Sequence, residues 1–429
     1  MKKWVLLLRK SYESRTNLKR ASINTSWLMV EQLTRLFVGF FVSVLITRYL
    51  GPKGLGLLNY ANSWVYMFSA LAYLGLDSIV IKRLVEKKDA TGSVLGSAFV
   101  LKLGGGFLAL FLSIFSLLLF GQNDIQTIVL VAIISLGYIF LPTSVVDFYY
   151  RSKLKVKYTV LVRVAVYLLV TIIKIVCILL EANIYYFGIL ISLELLFNCL
   201  GYVFLFYRKD RIKLSYSWIE VVNIFFSALP ILLSSLMVGV YSKIDHVFVG
   251  SMINNETLGY YSLSASLIQQ FYFIPLIVVS SVFPVLVEER SKQNILSYKN
   301  KVWKTVKYLL LAAVFLVLCA NIFSKYLIDL LYGDRFYLTS SLLNIYSFNL
   351  IPVFLSGIFS YWLIIENRQK ITLYLQFVTM TISILLNFVL IGDMGVYGAV
   401  YSSVVTNVVI TILLFGACLK TYVPNNAKI

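Results

Sequence analysis

A single histidine and four cysteines stand in a chain of 429 residues, and charged residues make up only 13% of it. His246 alone cannot complete a metal site or a catalytic triad, since each needs several converging groups. Cys177, Cys199, Cys319 and Cys418 are widely separated, with no CxxC or Cys/His spacing, so they read as packing residues rather than disulfides or ligands. No enzymatic constellation remains, and the chain is expected to be a non-enzyme without a cofactor. Acidic residues are half as numerous as basic ones, 19 against 38. A nucleic-acid surface would still need the basic residues gathered on one soluble face, and no segment is long enough to build one.

Apolar residues are what the chain has, at 60% of the total with a mean hydropathy of +0.85. A helix crossing the hydrocarbon needs about 20 mostly apolar residues. Runs of that length lie at 24–47, 57–80, 93–119, 125–147, 159–180, 184–206, 222–244, 258–287, 303–324, 341–365, 371–391 and 396–419. Barrel strands would alternate, and these runs do not. The expected fold is an all-α polytopic membrane protein of twelve transmembrane helices.

The joints between runs alternate in charge. Basic residues crowd the N-terminus, 82–88, 151–157, 208–213, 290–307 and 368–370, whereas 121–124, 181–183, 251–257 and 392–395 hold none. Cytoplasmic loops retain Lys and Arg, so the basic set is read as cytoplasmic, with both termini inside. The net charge of +19 is then largely this topology signal, together with attraction to anionic lipid. Residues 1–22, with Trp4 to Leu8 among basic residues, fit an interfacial amphipathic segment better than a cleaved leader. Trp218, Trp303 and Trp362 fall at span ends and read as an interfacial belt.

The halves of the chain also resemble each other. Gly51 aligns with Gly250 and Gly56 with Gly259, while Val85 Glu86 Lys87 Lys88 corresponds to Val287 Glu288 Glu289 Arg290. The matching spans run in the same direction, which gives a parallel repeat of six helices plus six around a central cleft. The expected organisation is an N-lobe over 23–207, a basic cytoplasmic connector over 208–221, a C-lobe over 222–419 and a cytoplasmic tail over 420–429.

Against this apolar background a few intramembrane charges stand out. A charge at a helix centre costs roughly 2.5–3.5 kcal/mol, so those retained there face a cavity or a counter-ion. Arg35 lies mid-span, four residues after Glu31, a spacing that permits an ion pair. Lys102 precedes Gly104 Gly105 Gly106, where missing side chains permit a bend or a close approach. Lys174 is deep, with Glu194 as a partner at similar depth. Arg163 lies about a turn from the cytoplasmic boundary and could snorkel. Asp77, Asp147, Lys243 and Asp245 lie near span ends. Arg35, Lys102, Lys174 and Arg163 are the substrate-binding candidates. Glu31, Asp77, Glu194 and Asp245 are the candidate coupling groups or charge partners. The alternatives are a structural ion pair for Arg35 and for Lys174, snorkelling for Lys102 and Arg163, and an interfacial or capping role for Asp77 and Asp245.

Ser26 Trp27 through Glu31 and Arg35, then Arg48 to Pro52, Gly56, Tyr60 and Leu74 Gly75 Leu76 Asp77 resemble the opening of bacterial oligosaccharide flippases of the polysaccharide-biosynthesis type. The second half adds similar stretches at Leu229 Pro230, Lys243 Ile244 Asp245, Leu258 to Tyr261, Phe273 to Pro275, Ser281 to Pro284 and Leu331 to Gly333. The resemblance implies the two-lobed twelve-helix fold shared with multidrug and toxic-compound extrusion transporters, in the multidrug, oligosaccharidyl-lipid and polysaccharide exporter superfamily. It implies alternating access, the bacterial cytoplasmic membrane, and polyprenyl-diphosphate-linked oligosaccharide units carried to the outer leaflet for O-antigen, capsule or exopolysaccharide. A polysaccharide polymerase is a candidate partner, and a proton or sodium ion a candidate coupling ion. Fixed cations suit a diphosphate better than cationic cargo, because guanidinium gives two parallel charge-assisted hydrogen bonds. A cation-coupled multidrug antiporter of the same fold, a peptidoglycan lipid-precursor flippase and a non-transporting membrane scaffold are the alternatives.

Overall fold

The computed structural model describes residues 2–121, 124–210, 212–366 and 368–421, with side chains described outside 2–22, 88, 369 and 421. The amphipathic character expected of 1–22 concerns side chains outside that set, as does all of the expected tail beyond Thr421. Among the described residues the fold is helical, with no strand. Two compact units divide the chain, the first comprising Met1–Tyr49, Phe68–Ser116 and Ile128–Leu232, the second Leu50–Met67, Leu117–Thr127 and Leu233–Ile429.

The long α1 (Lys2–Met67) changes direction at Gly51, whose φ of 63° is open to glycine, with Pro52 immediately after. It is followed by α2 (Ser69–Tyr73), α3 (Asp77–Glu86), α4 (Thr91–Phe120), α5 (Ile125–Leu136), α6 (Val145–Ser152), α7 (Lys157–Leu179), α8 (Ile184–Lys209) and α9 (Trp218–Tyr241). The second unit continues with α10 (Ile244–Met252), α11 (Asn255–Gln269), α12 (Phe273–Ser291), α13 (Ile295–Leu331), α14 (Tyr337–Tyr346), α15 (Leu350–Ile365), α16 (Gln369–Met394) and α17 (Val396–Thr421).

Eleven helical stretches among the described residues are long and apolar enough to cross a membrane. Ten coincide with expected spans. The eleventh, Ile23–Met67, takes in the first expected span and the start of the second. The rest of that second span, 57–80, is broken into α2 and α3, because Leu74 and Gly75 both adopt left-handed backbone. Of the twelve expected spans, eleven thus fall within long apolar helical stretches of the described residues, and the second runs past the end of the first stretch into α2 and α3.

Exposure follows helical period with the polarity of a membrane protein. On α13, Leu309, Ala313, Val317, Ser324 and Ile328 are buried, while Phe315, Leu318, Ile322 and Tyr326 are at least half exposed. Both stripes are largely apolar, as expected where the outer stripe meets lipid rather than water. Trp218 is exposed at the start of α9 and Trp303 is exposed two turns into α13, but Trp362 is 1% exposed and packs edge-on to Tyr298. It is a core residue, not a belt residue.

Close backbone approaches hold each unit. In the first, a Cβ on Gly105 would lie 2.1 Å from the Leu71 carbonyl oxygen. The glycine run after Lys102 thus serves close approach rather than a bend, since α4 continues unbroken through it. In the second, a Cβ on Gly56 would lie 1.6 Å from the Asn255 carbonyl oxygen and 2.9 Å from the Gly259 nitrogen. Gly56 and Gly259, the positions aligned by the internal repeat, therefore face each other.

Candidate functional site: a charged cluster and a polar cavity

Arg163, Tyr167 and Lys174 are four and seven residues apart on α7, so helical geometry sets them on one stripe. The stripe meets Glu31 and Arg35 of α1, Glu194 and Tyr202 of α8, and Asp147 of α6, all in the first unit. Arg163 binds Glu31 through two parallel hydrogen bonds, Nε to Oε1 and Nη2 to Oε2, each 2.7 Å. Its Nη1 also donates to Asp147 Oδ1 at 2.7 Å and to the Tyr202 hydroxyl at 3.4 Å. Arg151 approaches the other Asp147 oxygen at 2.6 Å, an ion contact. Snorkelling does not describe Arg163: its side chain is only 14% exposed and is turned inward onto two carboxylates.

Arg35 is held differently. Its Nη1 donates to Glu194 Oε1 at 3.1 Å, its Nε lies 3.5 Å from Glu31 Oε1, and its guanidinium sits 4.7 Å from the centre of the Tyr167 ring. The i,i+4 pairing with Glu31 is present, but the shorter contact is to Glu194. A third of the Arg35 side chain stays exposed. Lys174, for which Glu194 was the expected partner, makes no ion pair within 4 Å among the described residues. It still lies near enough to Glu194 and Arg35 to interact with both electrostatically. Arg35, Arg151, Arg163 and Lys174 thus oppose Glu31, Asp147 and Glu194: four cations, three carboxylates.

Lys102 is 1% exposed; its Nζ donates to Ser144 Oγ at 2.7 Å and lies 4.9 Å from the centre of the Phe148 ring. It is enclosed rather than snorkelling. Asp77 is exposed in the first turn of α3 and makes no ion pair within 4 Å among the described residues.

The remaining candidate, Asp245, belongs to the second unit and is buried. Its Oδ1 meets His246 Nδ1 at 2.7 Å, and its Oδ2 accepts from the Tyr261 hydroxyl. Asp245 borders a cavity of about 490 Å³ within that unit, lined mainly by hydroxyl and amide side chains. Sequence reasoning had placed the functional groups among the charges of the first half and overlooked this cavity. Repeated i,i+4 pairs of small polar residues, Ser383 with Asn387 and Ser403 with Asn407, were its legible trace. No group of three or more His, Cys, Asp or Glu able to hold a metal occurs among the described residues.

The family model described as polysaccharide biosynthesis protein matches residues 22–290, well over half of the chain. The chain belongs to that family. A second model, MatE, matches 230–389. No curated protein matches the sequence. Among solved structures, an inward-facing multidrug-resistance transporter of the MATE family, in the MOP superfamily, aligns with a TM-score of 0.77 at 13% identity, over 95% of this chain and 100% of its own. The lipid II flippase MurJ, in an inward closed conformation, aligns with a TM-score of 0.71 at 14% identity, over 92% and 87%. A MOP superfamily transporter from Pyrococcus furiosus, described as having reversed polarity in its binding pocket, gives 0.61 at 14% identity, over 94% and 93%. These likenesses show the fold: a multi-pass membrane protein built as the MOP transporters are.

Proposed function

We propose that this protein is a flippase that carries polyprenyl-diphosphate-linked oligosaccharide units from the cytoplasmic to the outer leaflet of a bacterial cytoplasmic membrane by alternating access, with both termini inside. The observation carrying this reading is the excess cation at Arg35 and Lys174, which share Glu194 while Arg163 and Arg151 engage Glu31 and Asp147; Glu31 reaches Arg35 only at 3.5 Å. A diphosphate is the kind of group such a pair binds, Arg through paired hydrogen bonds and Lys as a point charge. Family membership supports the saccharide pathway. Lys102 and Arg163 have structural roles, since one is enclosed and the other is neutralised by two carboxylates.

The direction is favourable. Moving negative charge out of a negative interior gains about 2.3 kcal/mol per charge per 100 mV. The test is flipping of a lipid-linked oligosaccharide in proteoliposomes by the Arg35→Ala/Lys174→Ala double variant. Loss of flipping in a folded protein is expected, and an unchanged rate would overturn the proposal. The MatE match over the second half favours one rival, a cation-coupled multidrug antiporter. Efflux of cationic dyes without any lipid flipping would establish that rival instead.

A further inference from the structure

We infer that the cavity in the second unit is a carbohydrate-binding site. At about 490 Å³ it falls inside the roughly 300–1,000 Å³ range of small-molecule pockets. Its chemistry is unusual for a membrane helix bundle. Hydroxyls and carboxamides of α15, α16 and α17 converge on it from separate helices, and Tyr66, Tyr241, Tyr272 and Tyr346 add aromatic rings with polar tips. In an apolar environment each such group costs free energy unless it finds a partner.

Some lining groups have none. Asn407 lines the cavity and donates through its amide to Asn349 Oδ1 and the Ser403 carbonyl, and its own Oδ1 has no partner among the described residues. Gln376 accepts from Ser234 through its carbonyl oxygen, and its amide NH2 has no partner among the described residues. The cavity therefore offers unsatisfied acceptors and donors side by side, which a polyol matches because every hydroxyl both donates and accepts.

The two charged residues of the lining narrow the ligand class. The lining offers a cation no free carboxylate, because both oxygens of Asp245 are already engaged by His246 and Tyr261. Lys243, at 5.8 Å from the centre of the Tyr66 ring, would repel a cation further. An apolar cargo would leave the amides unpaired. A neutral sugar satisfies the hydroxyl and amide groups and can present its C–H face to a tyrosine ring. That the sugar belongs to a lipid-linked saccharide rests on the proposed function; that the cavity binds carbohydrate does not.

The experiment compares binding of two probes to the full-length protein in nanodiscs: polyprenyl diphosphate carrying an N-acetylhexosamine, and bare polyprenyl diphosphate. Gln376→Met is expected to weaken the sugar-bearing probe about tenfold, the scale of one or two lost hydrogen bonds, and to leave the bare lipid within about twofold. Asn407→Leu should act in the same direction and carries the test if Gln376→Met does not fold. Equal effects on both probes, or no effect on either, would overturn the inference. So would loss of a sodium-dependent rise in melting temperature with saccharide binding intact, which would make the cavity a cation site. Arg35→Ala serves as the independent arm: it should weaken both probes alike, and its failure to do so would count against the diphosphate reading while leaving the sugar difference between probes to judge the cavity.

Discussion

The guanidinium of Arg163 is clamped by Glu31 through two parallel hydrogen bonds of 2.7 Å, with Asp147 at 2.7 Å on its remaining edge. Removing it leaves Glu31 and Asp147, 12% and 7% exposed, with only Arg35 at 3.5 Å and Arg151 at 2.6 Å beside them among the described residues. Breaking a buried pair from one side costs about 3–5 kcal/mol. Arg163→Ala is therefore expected to lower the melting temperature and the yield of monodisperse protein in detergent, with flipping falling in proportion to folded protein. Normal yield with flipping abolished would make Arg163 a substrate ligand instead.

Arg35 should behave in the opposite way. Its side chain is one-third exposed, so its ion pairs contribute at most about 1 kcal/mol to stability. A charge-assisted contact to the diphosphate is worth more, and its loss should slow flipping about tenfold or more. Arg35→Ala should thus leave the melting temperature nearly unchanged while transport collapses, and Arg35→Lys should recover only part of the rate because the paired hydrogen bonds are gone.

Lys102 makes a sharper contrast. Its ammonium is buried against Ser144 and the Phe148 ring, with no carboxylate within 4 Å among the described residues. Replacing an unpaired buried charge with a methionine of similar shape relieves desolvation. Thermal unfolding of Lys102→Met is expected at a higher temperature than the parent, with flipping retained to within about twofold. A transport defect in this variant would return Lys102 to the binding set.

Orientation is open to labelling. On a background lacking Cys177, Cys199, Cys319 and Cys418, single cysteines at the exposed positions Asp393 and Lys155 report opposite sides. Asp393→Cys should react with a membrane-impermeant maleimide in intact cells, and Lys155→Cys only after permeabilisation. The reverse pattern would invert the topology drawn from Lys and Arg.

The apolar runs made most helices readable, because only uninterrupted hydrophobic length can span a bilayer. The break at Leu74 and Gly75 was not readable, since the apolar pattern continues through it while the backbone does not. Glu31 with Arg35 was visible as an i,i+4 pair, but the stronger partners, Glu194 for Arg35 and Glu31 for Arg163, lie over 130 residues away and depend on how α1, α7 and α8 turn toward one another. The polar cavity was least visible. Its serines, threonines and amides are scattered singly through helices that remain hydrophobic on average, and only packing gathers them.

Gly56 and Gly259 bring two backbones together with no side chain between them, so the contact cannot loosen by a change of rotamer. Alanine at Gly56 would force the Asn255 carbonyl aside, and a marked drop in melting temperature is the expected result, on the overpacking scale of about 1–3 kcal/mol. The segment Leu50–Met67 is thereby tied to α11 by backbone rather than by side-chain contact. Gly51, with φ of 63° and open space where a Cβ would stand, is where the backbone entering that segment is free to turn.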